Sequence, residues 1–164
     1  MRSAVFTKFG ALGLVALLIV TATGLWAWQT RYAVSGNQGN FLEVRQAHKR
    51  AKSGEIVLVD VRRPNEWRAS GVPASGHAIT MHQNNSTFLR QLLAATGGDK
   101  SKSLALICAT GGRTTWLQAR LRKAGFTNLI NVTEGMMGSG YGAGWLKKGL
   151  PIRKWTGSHA RAPQ

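Results

Sequence analysis

The chain has 164 residues, one cysteine, four histidines, and 22 Lys and Arg against six Asp and Glu, giving a formal net charge of +16. That length holds one ordinary domain with an appendage and is short for two cores. The lone cysteine excludes an internal disulfide and the scattered histidines leave no structural zinc set. The positive charge draws anions and anionic headgroups, but the basic residues are spread rather than set in a stripe with interleaved aromatics, so no nucleic-acid partner is expected.

The first element lies between Lys8 and Arg31, where "FGALGLVALLIVTATGLWAWQT" runs 22 residues without a charge. At ~1.5 Å per residue, a helix of that length crosses the ~30 Å hydrocarbon core of a bilayer. Arg2 and Lys8 precede it, which places the N-terminus in the cytoplasm and Trp26, Trp28 and Tyr32 at the far interface. The alternative is a cleaved signal peptide, with Phe9 to Val20 as its apolar region and Ala22-Thr23-Gly24 as the cleavage site. Residues 1–29 are thus predicted to be a transmembrane anchor or a signal segment. Either one exports the folded part, to the periplasmic side of the inner membrane as a single-pass protein or as a soluble protein after cleavage. Residues 30–40, "TRYAVSGNQGN", read as a linker.

From Phe41 the pattern becomes that of a folded domain, predicted over 41–155 with a loose tail at 156–164. "FLEVRQAHKRAKSG" carries Phe41, Leu42, Val44, Ala47 and Ala51 near helical spacing and ends at Gly54, which predicts a helix. "EIVLVDVR", residues 55–62, is a short β-branched run of the kind buried in parallel sheets, and Pro64 opens a turn of helix near Glu66 and Trp67. A small strand is predicted at Ala78 to Met81. "STFLRQLLAAT" predicts a helix capped by Ser86, with Phe88, Leu89, Leu92 and Leu93 inward. "SLALIC" is another buried strand. After it comes an amphipathic helix from Thr114 to Ala124, with Trp116, Leu117, Leu121 and Ala124 inward and Gly125 as the stop, and then a last strand in "TNLINV". This alternation predicts an α/β fold, a parallel sheet with helices on both faces.

Ligands of open parallel sheets sit beyond the carboxyl ends of the strands, and Cys108 stands at such an end in "CATGGRTT". Gly111 and Gly112 permit the tight turn from strand to helix, so that the N–H groups of Ala109 to Arg113 converge as an anion nest at the positive end of the following helix. A sulfur there is stabilised as thiolate, and Arg113 adds a fixed positive charge. The competing reading is a buried structural cysteine.

The Cys-x-x-Gly-x-Arg loop resembles the active-site loop of the rhodanese-like sulfurtransferase family. "VDVRRPNEW" is similar to that family's Asp-x-Arg-x-x-x-Glu stretch, "GVPASGHAITM" to its Gly-x-x-Pro-x-x-Ala segment, and "EGMMGSGYGAGWLKKGLPI" to its glycine-rich C-terminal stretch, so the likeness covers roughly Phe41 to Ile152. It departs at Val72, where the usual segment has histidine, and in the extra glycines between Met137 and Trp145. The resemblance implies that Cys108 is the nucleophile that holds a sulfane sulfur as a persulfide and that Arg113 fixes the loop or orients the donor's oxyanion. It also implies that Ala109, Thr110, Gly111, Gly112 and Thr114 bind the substrate. Thiosulfate is the implied donor, a thiophilic small molecule or an acceptor protein the acceptor, and no cofactor or metal takes part. Asp60, Arg62 and Glu66 are expected to form one structural charge network. His77 and His82 flank a strand end near the active loop, where a surface or structural role is expected. The rivals are a non-catalytic binding module and a phosphatase or arsenate reductase. Those enzymes place five residues between Cys and Arg, whereas four, Ala109 to Gly112, intervene here.

Overall fold

The computed structural model describes residues 41–157. The predicted anchor or signal segment 1–29, the linker 30–40, and the tail beyond Gly157 with His159 lie outside the described residues. Among the described residues, no helix is long and apolar enough to cross a membrane.

The elements run β1 (Phe41–Leu42), α1 (Val44–Lys52), β2 (Val57–Asp60), α2 (Pro64–Ser70), β3 (Val72–Pro73), β4 (Gly76–Ala78), α3 (Asn85–Thr96), β5 (Leu104–Ile107), α4 (Gly112–Lys123), β6 (Leu129–Val132), α5 (Gly144–Lys147) and β7 (Ile152–Arg153). Five strands form one parallel sheet in the order β1-β6-β5-β2-β4, which puts β5 at its centre.

Alternation along the strands sends side chains to two cores. Val57, Val59, Leu104 and Leu106 pack with Phe88, Leu92, Leu117 and Leu121 of α3 and α4, whereas Leu58, Ala105, Ile107 and Val132 pack with Val44 and Ala47 of α1 and Trp145 of α5. Helices therefore cover both faces, as the alternation of elements predicts. Cys108 belongs to the core on the α3 and α4 side.

Three local predictions are corrected, and one small sheet is added to them. Phe41 and Leu42 do not open a helix: they pair with Asn131 and Val132 as an edge strand, and α1 starts only at Val44. The burial of Leu42 in the sheet edge outweighs the helical spacing of a single turn. The cap of α3 is Asn84 rather than Ser86, because its side chain accepts the Thr87 N–H at 2.8 Å. Trp116 faces solvent with 55 % of its surface exposed, and Arg120 stacks on its ring at 4.7 Å, while Gln118 takes a buried position on α4. Finally, β3 and β7 pair antiparallel in a second, two-stranded sheet that no periodicity announces, since each has only two residues. That sheet folds Trp155 against Trp67, with ring centroids 5.3 Å apart.

Candidate active site

Cys108 stands one residue beyond Ile107, the last residue of β5, which pairs with Asp60 at the end of β2. Its side chain has no exposed surface. The chain must then reverse into α4 within a few residues, and Gly111 makes this possible at φ +86°, a left-handed conformation that other residues adopt at a cost. The space at Gly111 is equally demanding, because a Cβ there would run into the Thr133 carbonyl. From this position the Gly111 N–H donates to Cys108 Sγ at 3.2 Å. α4 begins at Gly112, two residues earlier than the sequence pattern suggests, so the amides of Gly112, Arg113 and Thr114 form the first turn, whose N–H groups have no intrahelical acceptor. The positive end of a 12-residue helix thus abuts the loop that carries the sulfur.

Thr114 is buried and its hydroxyl lies 3.7 Å from Sγ. The same hydroxyl sits 2.7 Å from the Gly111 carbonyl and 2.6 Å from Asn131 Oδ1, and Asn131 Nδ2 donates to Thr115 Oγ1 at 2.9 Å. Asn131 therefore braces the start of α4 from the neighbouring strand. No motif points to Asn131, although a polar residue inside the apolar run "LINV" is a signal of its own. The rear of the loop is held by two main-chain bonds, from Met136 N–H to the Cys108 carbonyl at 2.8 Å and from Met137 N–H to the Ala109 carbonyl at 2.9 Å. Gly135, at φ +68°, allows this approach, since a Cβ would collide with Ala109.

Glu134, the first residue of the glycine-rich stretch, has a role that its sequence context does not announce. Its buried carboxylate accepts the Val44 N–H and the Gly144 N–H, both at 3.1 Å, and Lys148 Nζ at 2.9 Å. Burial raises this carboxyl, but the Lys148 contact and the two amides outweigh it and leave the group below its ordinary value. It thereby ties the start of α1 to α5 and the glycine-rich segment behind the Cys108 loop.

The expected single charge network divides into two. Arg62 Nη2 donates to Asp60 Oδ2 at 2.7 Å and to the Gly71 carbonyl at 2.7 Å, and Nη1 donates to Ser70 Oγ at 2.8 Å. Both partners of this pair are buried, and burial pushes the Asp60 carboxyl up while Arg62 opposes it. Glu66 lies apart, because α2 turns its side chain away. Arg62 reaches only the Glu66 main-chain carbonyl, at 3.5 Å, while the Glu66 carboxylate accepts Arg113 Nη1 at 2.8 Å and Nη2 at 2.6 Å. This bidentate pair bridges α2 to the first turn of α4. It brings the Glu66 carboxyl from 4.5 down to about 2, chiefly through the Arg113 hydrogen bonds and with help from the Arg63 N–H. In return Glu66, and to a lesser degree the Cys108 sulfur, holds the Arg113 guanidinium above its ordinary value.

His82 stands at the mouth, with Nε2 3.4 Å from Arg113 Nη1. Desolvation, followed by the charges of Arg63 and Arg113, lowers its pKa, which favours the neutral ring. His77 lies within β4. Of the residues singled out in the sequence, Cys108, Gly111, Arg113, Thr114 and Glu66 converge here, and Ala109, Thr110 and Gly112 supply the loop backbone, whereas Asp60 and Arg62 brace α2 one layer away. Among the described residues, no group of three or more His, Cys, Asp or Glu is placed to hold a metal ion.

A five-stranded parallel sheet with a cysteine-centred loop at the end of its middle strand, facing a helix N-terminus, defines a class. The profile of the Rhodanese-like domain matches residues 43–139, and the chain belongs to that family. Among solved structures, the rhodanese-like domain of the Alr3790 protein from Anabaena sp. aligns with a TM-score of 0.55 at 18% identity, covering 77% of this chain and 89% of that one. The Rv0390 protein of M. tuberculosis aligns with a TM-score of 0.51 at 27% identity, covering 70% of this chain and 97% of that one. Among curated proteins, the uncharacterized protein RP600 of Rickettsia prowazekii is 26% identical over 103 residues, which is 60% of this chain and 84% of that protein.

Proposed function

We propose that this domain is a thiosulfate-type sulfurtransferase working through a Cys108 persulfide. One observation carries the reading: the Gly111 N–H donates to Cys108 Sγ at 3.2 Å, in a loop that ends at the N-terminus of α4. Such a loop stabilises negative charge on sulfur both before and after transfer. In the first step the Cys108 thiolate attacks the outer sulfur of thiosulfate. A new S–S bond forms, the S–S bond of the donor breaks, and sulfite leaves with the electron pair. In the second step a thiophilic acceptor attacks the outer sulfur of the persulfide, and the Cys108 thiolate is released. The amides of Ala109, Thr110, Gly111, Gly112 and Arg113 stabilise the anionic sulfur, that of Gly111 at Sγ itself, and the Thr114 hydroxyl, bonded to the Gly111 carbonyl and Asn131 Oδ1, braces the loop. With its guanidinium committed to Glu66, Arg113 acts as a positioning residue that fixes the loop rather than as a free receptor for the donor's oxyanion.

No metal or redox cofactor enters this scheme. The acceptor is cyanide, a small thiol or an acceptor protein. Residues 1–29 anchor the chain in the inner membrane with the domain on the periplasmic side, a reading supported by the length of the uncharged span and by Arg2 and Lys8 before it.

The test is intact-mass measurement after thiosulfate treatment, together with sulfite release in the presence of cyanide. The expected result is an adduct of one sulfur atom on the parent chain and none on Cys108→Ser, which loses turnover while keeping its fold. A Cys108→Ser protein that releases sulfite at the parental rate overturns the reading, since the chain has no second thiol. One observation favours the non-catalytic binding module, the complete burial of Cys108. In that case the parent chain takes up no sulfur, and the mass measurement alone separates the two readings.

A further inference from the structure

We infer that the end of the sheet opposite Cys108 is a docking face for an anionic phospholipid bilayer. The described residues hold 18 Lys and Arg against six acids, a net +12, and the topology sorts these charges by end. Because the strands of the main sheet are parallel, Cys108 stands at one end and the strand entrances at the other. α4 starts beside Cys108 and runs 12 residues, so its last turn, with Arg120, Arg122 and Lys123, comes out at the entrance end. α1 starts where Glu134 caps the Val44 N–H beyond the end of β6, and its last turn brings Lys49, Arg50 and Lys52 to the same entrance end.

Between these two helix ends lies the turn that leads into β5, with Lys100 and Lys102. Lys100 Nζ donates to the Ala124 carbonyl at 2.8 Å, which joins the turn to the end of α4, and the Val57 N–H donates to the Ser103 carbonyl at 2.8 Å, which joins it to the segment after α1. Eight cations thus lie on adjoining segments. Two acids stand among them, Asp99 and Glu55, and Glu55 is already paired with Arg50 at 2.8 Å. Cations in a last helical turn favour the helix dipole, and Lys100 does the same from outside α4 through the Ala124 carbonyl, but Lys102 belongs to no helix, so the dipole does not account for the whole cluster.

The occupant follows from charge and from the chain outside the described residues. A surface of clustered cations matches a plane of anionic headgroups, where each Lys or Arg near the surface adds to binding. The uncharged span of residues 9–30 ends a short linker before Phe41, which keeps the domain near any bilayer that the span occupies. Docked this way, the domain lies against the bilayer on its basic end and presents the Cys108 loop to the aqueous side. This inference rests on the reading that residues 1–29 hold the chain at a membrane; it does not depend on sulfur transfer.

The test uses the full chain with vesicles of phosphatidylcholine alone and of phosphatidylcholine with phosphatidylglycerol, reading lysine acetylation residue by residue. Lys49, Lys52, Lys100, Lys102 and Lys123 are expected to react about fivefold more slowly on the anionic vesicles, while Lys147 and Lys148 at the Cys108 end stay unchanged and ~1 M salt removes the difference. The triple substitution Lys102→Glu, Arg122→Glu and Lys123→Glu should abolish the protection of the remaining lysines without changing Cys108 modification. Equal labelling on the two vesicle types overturns the inference, and so does protection by soluble polyglutamate without protection by anionic vesicles, which assigns the face to an acidic protein. Co-sedimentation with pure phosphatidylcholine vesicles reports the apolar segment separately, so failure of the anchor and failure of the docking face are distinguishable.

Discussion

Two ion pairs stand next to each other around α2 and differ in what surrounds them. Asp60 and Arg62 are enclosed, with side-chain exposures of 0% and 2%, and the guanidinium also serves Ser70 and the Gly71 carbonyl. Glu66 and Arg113 are a quarter exposed, at 25% and 26%, and join parts of the chain 47 residues apart. The enclosed pair is local in sequence and holds one turn in shape, while the open pair is distant in sequence and aligns the Cys108 loop with its surroundings. Water decides the energies. Removing one member of an enclosed pair leaves a bare charge with nowhere to go, whereas removing one member of an open pair lets solvent step in.

The largest effect should follow from breaking the enclosed pair. Arg62→Met is expected to cost about 3–5 kcal/mol, because Asp60 then stays buried without its ion-pair partner, and the double substitution Asp60→Asn with Arg62→Met should recover much of that loss. Urea unfolding of the single and double variants measures both, and equal costs for the two would show that packing rather than charge holds this corner.

Breaking the open pair should cost less and show its charge through pH. Glu66 has a folded-state pKa of about 2 against an ordinary 4.5, so its stabilisation is complete above pH 4.5 and fades as pH falls toward 2. A shift of that size corresponds to about 3 kcal/mol, and solvent screening of side chains this exposed brings it nearer to about 1–2 kcal/mol. Glu66→Gln should therefore be less stable than the parent at pH 7 and converge on it near pH 2 in thermal unfolding. The same variant frees Arg113, so sulfur uptake from thiosulfate should change in KM if the guanidinium then meets the donor, and in kcat if the loop loses its alignment.

The smallest effect is expected where a cationic contact is fully at the surface. Arg120 over the Trp116 ring is worth about 0.5–1 kcal/mol, so Trp116→Ala should lower stability by no more than that in the same urea measurement. A loss of several kcal/mol would mean that the ring is buried in solution, against its observed exposure.

Much of this architecture is legible from local pattern. The buried runs at 57–60, 104–107 and 129–132 are strands, and the stretches between them are helices, because period and β-branching act within a few residues. The loop from Cys108 to Thr114 is legible too, since glycine conformation and helix polarity are local properties. What stays hidden depends on contacts between distant segments. The edge strand Phe41–Leu42 exists only because β6 lies beside it, and β7 only because β3 does. Arg113 was expected to fix the loop or to orient the donor's oxyanion, and its grip on Glu66, a partner 47 residues away, is one that no spacing rule could assign. Asn131, Glu134 and Gly135 act at the site from the far side of the loop, where their effect comes from proximity rather than from any motif. Sequence by itself thus determined the order of the central strands and helices, the place of Cys108 at a strand end and the sign of the net charge, all of which follow from residue type and short-range periodicity. Only the tertiary structure decided which charges pair and which end of the sheet is basic, because desolvation and electrostatic contact depend on distance in space and not on distance along the chain.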